Sequence, residues 1–300
     1  MKTFSVRTRL VAWSQLRQIE KIDPKTEIGT VRLAVKDLPG MKKFYRDIIG
    51  LAIINDNQQS VKLGVGDLPL VELISNPDGI SHPNSTGLFH IAILLPNRPE
   101  LGRWLKHFIS IGYPLDGVGD HLVSEALYLS DPEGNGIEIY RDRPKETWEY
   151  IDGQIQMDTK SVDLESLLEQ ASPHIFSGLP EGTKMGHIHL QVNNVSKTAA
   201  FYQDILGFDL IAKMPGAGFL SAGGYHHHIG MNTWRSMGGG IAPADSLGLV
   251  DYQIVLPSMS SQESIANKLS SHEINFSRQN GTLRVQDPAG IWIEFVLREQ

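Results

Sequence analysis

The sequence predicts an α+β fold built from four copies of one βαβββ module. Two observations predict it: a long repeat relates the two halves of the chain, and a second recurring segment lies within each half. Residues 27–55 (EIGTVRLAVKDLPGMKKFYRDIIGLAIIN) match residues 184–212 (KMGHIHLQVNNVSKTAAFYQDILGFDLIA). Phe44 and Tyr45 precede Phe201 and Tyr202 by 157 positions, and Gly50 precedes Gly207 by the same 157. Residues 87–96 (GLFHIAILLP) likewise match 248–257 (GLVDYQIVLP), and each leads to a similar ending, SDPEGNGIEIY at 130–140 and QDPAGIWIEFV at 286–296. Repeats of this kind mark one supersecondary unit used several times. The modules fall at about 27–80, 85–143, 184–236 and 246–298.

An alternating strand opens each module. In the stretch from His187 to Val192, the apolar residues Ile188, Leu190 and Val192 share one face, and His187, His189 and Gln191 share the other. Strand side chains alternate, so the histidines point together. A helix follows. From Lys197 to Leu206, Ala200, Phe201, Ile205 and Leu206 recur at roughly helical spacing, and Gly207 closes the segment as glycine does just past a helix end. Two or three further strands complete the unit. The sequences DPEG and DPAG are type I turns, with Pro second and Gly fourth. A linker at 144–183 joins the halves, with Pro144, Pro173, Pro180 and a short helix predicted around Asp163–Gln170.

The bulk numbers bound the function. With 41% apolar and 20% charged residues, the 300-residue chain reads as a globular protein able to bury a core. A net charge of −7 argues against nucleic acid as a partner, and no window is apolar enough for a membrane span. The chain has no cysteine, which excludes disulfides, thiolate metal sites and cysteine nucleophiles, and fits a reducing cytoplasm. Any metal must be held by His, Asp, Glu or water. Residues 1–26 read as an extension, basic through Lys2, Arg7, Arg9, Arg17 and Lys21, with apolar residues too scattered for a secretory signal.

A βαβββ module, doubled and doubled again, resembles the vicinal oxygen chelate superfamily, which includes glyoxalase I, extradiol dioxygenases and drug-binding resistance proteins. The resemblance covers about 27–298 and is strongest to catechol-2,3-dioxygenase-like two-domain proteins. It is carried by Asp120 to Tyr140 (DHLVSEALYLSDPEGNGIEIY), by Arg141 to Pro144, and by Gly224 to Trp234 (GYHHHIGMNTW). The resemblance implies that modules pair into two cup-shaped half-barrel domains, expected at 27–143 and 184–300. It also implies a metal inside a cup, held by residues of the first and last strands of each module.

In the C-terminal half those positions are His187, His228, Asp251 and Glu294. In the N-terminal half they are Thr30, Glu72, His90 and Glu138. Glu72 precedes Glu138 by 66 residues, as His228 precedes Glu294. Both endings carry a lone carboxylate in an apolar strand, costly to bury unless paired or on metal. Two histidines and a carboxylate form the facial set of non-haem Fe(II), supplied here by His187, His228 and Glu294. Asp251 stands where the extradiol enzymes carry their second histidine, as a fourth ligand or as a residue orienting one. The N-terminal set, lacking its first histidine, reads as a vestigial half or a second site, with Arg32 on the same face placed to neutralise its carboxylates.

Three functions follow as expectations. In an extradiol dioxygenase, Fe(II) or Mn(II) binds an aromatic diol or another oxygen chelator, with His189, His226 or Tyr252 as acid–base residue. In a glyoxalase-like isomerase or lyase, all four C-terminal ligands hold Zn(II) or Ni(II). In a sequestration protein the cup binds a small molecule without catalysis, a reading the aligned ligands count against. Trp234 and the Gly238–Gly240 stretch offer a lid over the cup, and sheet-edge or helix pairing offers a homodimer.

Overall fold

The computed structural model describes residues 20–152 and 154–298. Each module runs strand, helix and three strands, as the repeat predicts. The first contains β1 (Glu27–Val35), α1 (Leu38–Phe44), β2 (Ala52–Asp56), β3 (Ser60–Val65) and β4 (Leu68–Ser75). The second contains β5 (Gly87–Leu95), α2 (Arg98–Ile111), β6 (Gly117–Asp120), β7 (Ser124–Ser130) and β8 (Gly136–Asp142). A linker follows with β9 (Tyr150–Ile151), β10 (Gln154–Ile155) and α3 (Leu164–Glu169). The third module has β11 (Lys184–Gln191), α4 (Val195–Ala200), β12 (Asp209–Met214), β13 (Ala217–Ser221) and β14 (Ile229–Asn232). The fourth has β15 (Gly248–Leu256), α5 (Met259–Ser271), β16 (Phe276–Gln279), β17 (Thr282–Gln286) and β18 (Trp292–Leu297).

Local chemistry sets the helix ends. Asp37 and Asn194 cap α1 and α4, accepting from the backbone N–H of Gly40 at 3.1 Å and of Lys197 at 2.9 Å. Both helices then widen into π-helical turns, Tyr45–Ile49 and Phe201–Leu206, so only part of the predicted 197–206 helix is α-helical. Gly50 and Gly207 close these turns at φ 94° and 92°. A side chain at Gly207 would also meet the Glu20 carbonyl at 2.4 Å. The buried Tyr45 and Tyr202 hydroxyls donate to Asp131 and Asp287 at 3.0 and 3.1 Å, the first residues of the two Asp-Pro turns. In each half, the first module's helix is thereby tied to the second module's last turn.

The strands form two eight-stranded sheets. One has the order β12-β13-β14-β11-β5-β8-β7-β6, and the other β16-β17-β18-β15-β1-β4-β3-β2. The sheets therefore do not follow the two halves of the chain. Modules two and three share one cup across an antiparallel β5/β11 seam, and modules one and four share the other across β1/β15. This corrects the expected division into cups at 27–143 and 184–300. All four modules present the same kind of first strand, so the repeat alone leaves the pairing open. Cross-strand chemistry distinguishes the partners: Arg32 lies opposite Asp251 in one seam, and His189 opposite His90 in the other. One continuous apolar core backs both sheets, with Val31 and Leu33 of β1, Ile91 and Ile93 of β5, Ile188 and Leu190 of β11, and Trp104, Phe108 and Leu269 from the helices.

The linker packs against the second module. Asp120 and Lys160 exchange backbone hydrogen bonds at 2.8 and 2.9 Å, which carries residues 157–159 past the mouth of the first cup. Asp163 caps α3 where the sequence places a helix. Residues 20–26 of the extension lie in the described region, where Ile22 is buried and donates to the Gly207 carbonyl; residues 1–19 lie outside it. No helix of the described residues is long and apolar enough to cross a membrane.

Candidate metal centre and its cavity

The β5/β11 seam and the adjoining β8 bring three metal-binding side chains to one point. Ala92 of β5 pairs with His187 on one side and with Glu138 on the other. His90 lies two residues along the same strand and faces the same way. The small Ala92 side chain leaves the space above it open, and His90, Glu138 and His187 converge there, all buried. His90 Nε2 and His187 Nε2 each lie 3.1 Å from Glu138 Oε2 and 3.4 Å from one another. Three ligands about 2.1 Å from one ion, at right angles, have edges of roughly 3.0 Å. The donor atoms thus already make a triangle of that size. Without an ion, two imidazole nitrogens would face each other beside one carboxylate oxygen, and His187 Nδ1 is buried with no partner. The set fits a divalent metal.

Electrostatics agree. Burial works against the Glu138 charge, but the two imidazoles outweigh it and hold the carboxyl well below its usual range. Burial lowers the His187 pKa, against the pull of Glu138. The site therefore offers an ionised carboxylate and a neutral ring, the forms that bind metal.

The equivalent position on β14 is Gly230, which pairs with His189 as Glu138 pairs with Ala92. A Cβ there would lie 2.8 Å from His189 Nδ1. The centre thus has three protein donors and an open side. That side faces a cavity of about 440 Å³, lined by Phe89, Tyr128, Met157, His189, Phe219, His227 and Trp234 among others. His189 stacks edge-on to His90 at 4.9 Å, and burial drives its pKa well down. The His227 ring lies 4.0 Å from that of His187, and burial, assisted by neighbouring imidazoles, keeps it neutral. Tyr128 of β7 pairs with Glu138, and burial raises its pKa well above the phenol range. Its hydroxyl is 2.7 Å from His121 Nε2, whose Nδ1 is 3.1 Å from the Asp158 carbonyl.

The structure separates the residues the sequence groups together. His187 is at the centre, but His228, Asp251 and Glu294 are not. His228 lines another cleft, its Nδ1 accepting from the Ala222 N–H at 3.2 Å and its pKa pushed by burial down to about 3. Asp251 and Glu294 belong to the second sheet, where Arg32 fills the corresponding position. Its Nε and Nη2 donate to Asp251 at 2.5 and 2.6 Å, and Nη2 donates to Glu294 at 2.5 Å. Arg32 therefore neutralises Asp251 and Glu294, whereas the sequence placed it against Glu72 and Glu138. The proposed ligand set His187, His228, Asp251 and Glu294 is thus not assembled: Asp251 and Glu294 lie in the other cup because modules three and four do not share one, and His228, in the same module as His187, opens into another cleft.

Of the acid–base candidates, His189 and His226 line the cavity and Tyr252 does not. His226 is 2.8 Å from Asp142 through Nε2 and 2.9 Å from His227 through Nδ1. Tyr252 is buried in the other sheet against Tyr202, the hydroxyls 2.8 Å apart. Sequence reasoning missed His227, Tyr128 and His121 as cavity residues, and read His90 and Glu138 apart from His187, as part of a vestigial half or of a second site. A usable signal was there: Tyr128 lies directly opposite Glu138 across the Asp-Pro turn, inside the distinctive Asp120–Tyr140 stretch. Trp234 stands 56% exposed at the cavity mouth. The Gly238–Gly240 stretch is pinned, with the Gly239 carbonyl accepting from Asn193 and the Gly240 carbonyl from the Thr86 N–H.

Comparisons agree with this architecture. The chain matches the family model described as the glyoxalase/bleomycin resistance protein/dioxygenase superfamily over residues 27–139 and 184–295. It is 41% identical, over 92% of its length and 99% of the relative's, to a catechol-2,3-dioxygenase of Bacillus subtilis. A biphenyl-2,3-diol 1,2-dioxygenase of Rhodococcus globerulus is 26% identical over 41% of this chain and 68% of its own. Glyoxalase I from Zea mays shares the fold at TM-score 0.55 and 16% identity, covering 90% of this chain and 92% of that one.

Proposed function

The chain belongs to the glyoxalase/bleomycin resistance protein/dioxygenase superfamily, and on that premise we propose that it is an extradiol-type dioxygenase, opening the ring of a catechol-like diol beside its hydroxylated carbons. The observation that carries this reading is the buried triangle of His90, Glu138 and His187, open on one side to a cavity of aromatic dimensions. A divalent metal held there, Fe(II) or Mn(II) by the two-histidine, one-carboxylate set, would supply open positions for the diol oxygens and for O₂.

The surrounding side chains do the rest. The neutral His227 ring can accept a proton from a diol hydroxyl and return it to the product. Asp142 engages Nε2 of His226, and the His226–His227 contact fixes how the His227 ring is presented. Tyr128 stays protonated because burial disfavours its phenolate; with His121 Nδ1 donating to the Asp158 carbonyl, the Tyr128 proton is directed to His121 Nε2, and the phenol oxygen is left to accept a hydrogen bond from a substrate hydroxyl. His189 lines the remaining wall as a neutral imidazole. Phe89 and Phe219 pack against His189 at 5.1 and 5.8 Å and keep bulk water from the reacting atoms. A four-ligand, isomerase-like site finds no support, since Gly230 occupies the fourth position.

The test is metal content after anaerobic purification, followed by O₂ uptake with catechol after Fe(II) loading. One metal per chain, with O₂ consumed in proportion to ring-opened product, is expected. Tightly bound Zn(II) or Ni(II) with no O₂ uptake would overturn the reading. A cytoplasmic location and a homodimer complete the proposal; light scattering of the purified chain tests the dimer.

A further inference from the structure

The cavity is larger and more apolar than a bare diol requires. A dihydroxybenzene ring fills roughly a quarter of 440 Å³, which lies within the range of pockets for larger ligands. Beyond the His and Glu wall, the remaining surface is made largely by Val123, Met157, Met214, Phe219 and Trp234. Trp234 stands edge-on to Phe89 at 5.1 Å and 5.8 Å from the His189 ring, so it forms the outer end of an aromatic wall that begins beside the metal ligands.

The charges are as telling as the apolar groups. Among the described residues, no lysine or arginine lines this cavity. Its ionisable carboxyls are Glu138, engaged by the two histidines, and Asp158 near the mouth. His121 could meet an anion, but both its ring nitrogens are engaged, with Tyr128 and the Asp158 carbonyl. Arg235 lies over the Phe89 ring at 5.8 Å and lines the neighbouring cleft instead. A substrate carboxylate entering here would lose water, gain no cation and face an acidic group.

We propose that the cavity selects uncharged catechols bearing an apolar alkyl or aryl substituent and rejects catechols bearing a carboxylate, with Trp234, Phe219, Met214 and Met157 as the selecting residues. The proposal rests on the ring-cleaving reading above and deepens it. The apolar substituent lies along the Trp234 wall, where burial of each added methylene favours binding.

The test compares 3-methylcatechol and 3-phenylcatechol with 3,4-dihydroxybenzoate and 3,4-dihydroxyphenylacetate, using catechol as reference. Two readouts are taken: kcat/KM for O₂ uptake by the Fe(II)-loaded protein, and anaerobic Kd from quenching of tryptophan fluorescence. The apolar pair should exceed the carboxylated pair by at least about tenfold in both. Trp234→Ala should shrink the phenyl-to-catechol ratio, and Met214→Lys, at an exposed position, should raise the carboxylated pair relative to catechol. Met157→Lys repeats that arm should Met214→Lys fold poorly. Carboxylated diols handled as well as apolar ones, or ratios unmoved by both substitutions, would overturn the selection while leaving ring cleavage intact. Ordered binding without O₂ uptake would instead overturn ring cleavage and keep the selection. Absence of any diol binding would overturn both.

Discussion

Replacing Arg32 with Met should unmask the charge stored in the second cup. Asp251 is fully buried, and its carboxylate with that of Glu294 is held by three charge-assisted hydrogen bonds from Arg32 at 2.5–2.6 Å. The side chain of Arg32 is 25% exposed and Arg284 stands 3.5 Å from Asp251, so solvent and a second cation soften the loss. Removing one partner of a buried pair costs about 3–5 kcal/mol, and the lower end suits this partly screened site. At roughly 2–4 °C per kcal/mol for a chain of this size, the Tm should fall by about 6–12 °C near pH 7.5. The loss should shrink on acidification. Burial already holds the Asp251 carboxyl above its ordinary range, and loss of Arg32 raises it further. A carboxyl whose folded pKa is raised contributes stability at low pH that disappears as pH rises through that pKa, so the variant suffers most at neutral pH. Thermal unfolding followed by circular dichroism between pH 4.5 and 8 measures both effects. A pH-independent loss under about 1 kcal/mol would refute the reasoning.

His90→Ala, Glu138→Ala and His187→Ala should each abolish stoichiometric metal binding, whereas Asp251→Asn and Glu294→Gln should retain it; elemental analysis of the purified variants decides between the two cups. Ala92→Leu should fill the space between the ligands, lowering metal occupancy at a stability cost of about 1–3 kcal/mol read from denaturant unfolding. Asp287 has its pKa raised by burial to about 6, from 3.8, despite accepting two backbone N–H groups and the Tyr202 hydroxyl. It should therefore cost the wild type about 2 kcal/mol of stability as pH rises from 4 to 7, and Asp287→Asn should gain on wild type by that amount over the same window; parallel pH–stability curves would show the assignment to be wrong.

Much of the fold was legible in the residues. The 157-residue repeat marked the first and third modules and the match of 87–96 to 248–257 the second and fourth, and the alternation at His187–Val192 put His187 and His189 on one face, where they line the cavity. Glycine at 50 and 207 marked the ends of the helical segments. Module pairing was not legible. A repeat states what each unit is, whereas the seam is chosen by pairs far apart in sequence, such as Arg32 with Asp251. That single ambiguity displaced most of the expected site: with modules three and four assumed to share a cup, Glu294 stood where Glu138 belongs and Asp251 where His90 belongs. Tyr252 fails as a candidate for a different reason: it follows the cup-facing Asp251, so strand alternation turns it into the core, as it does the equivalent Ile91.

Pairing across the halves also shapes how the protein is made. The β1 edge finds its partner in β15, more than 200 residues later, so it waits for nearly the whole chain to leave the ribosome. His90 and Glu138 are synthesised well before His187, and β5 exposes an unpaired edge in the interval. Neither half of the chain, translated alone, holds the full ligand set. Ion capture is thereby coupled to synthesis of the third module, and products truncated before it are left without the full ligand set.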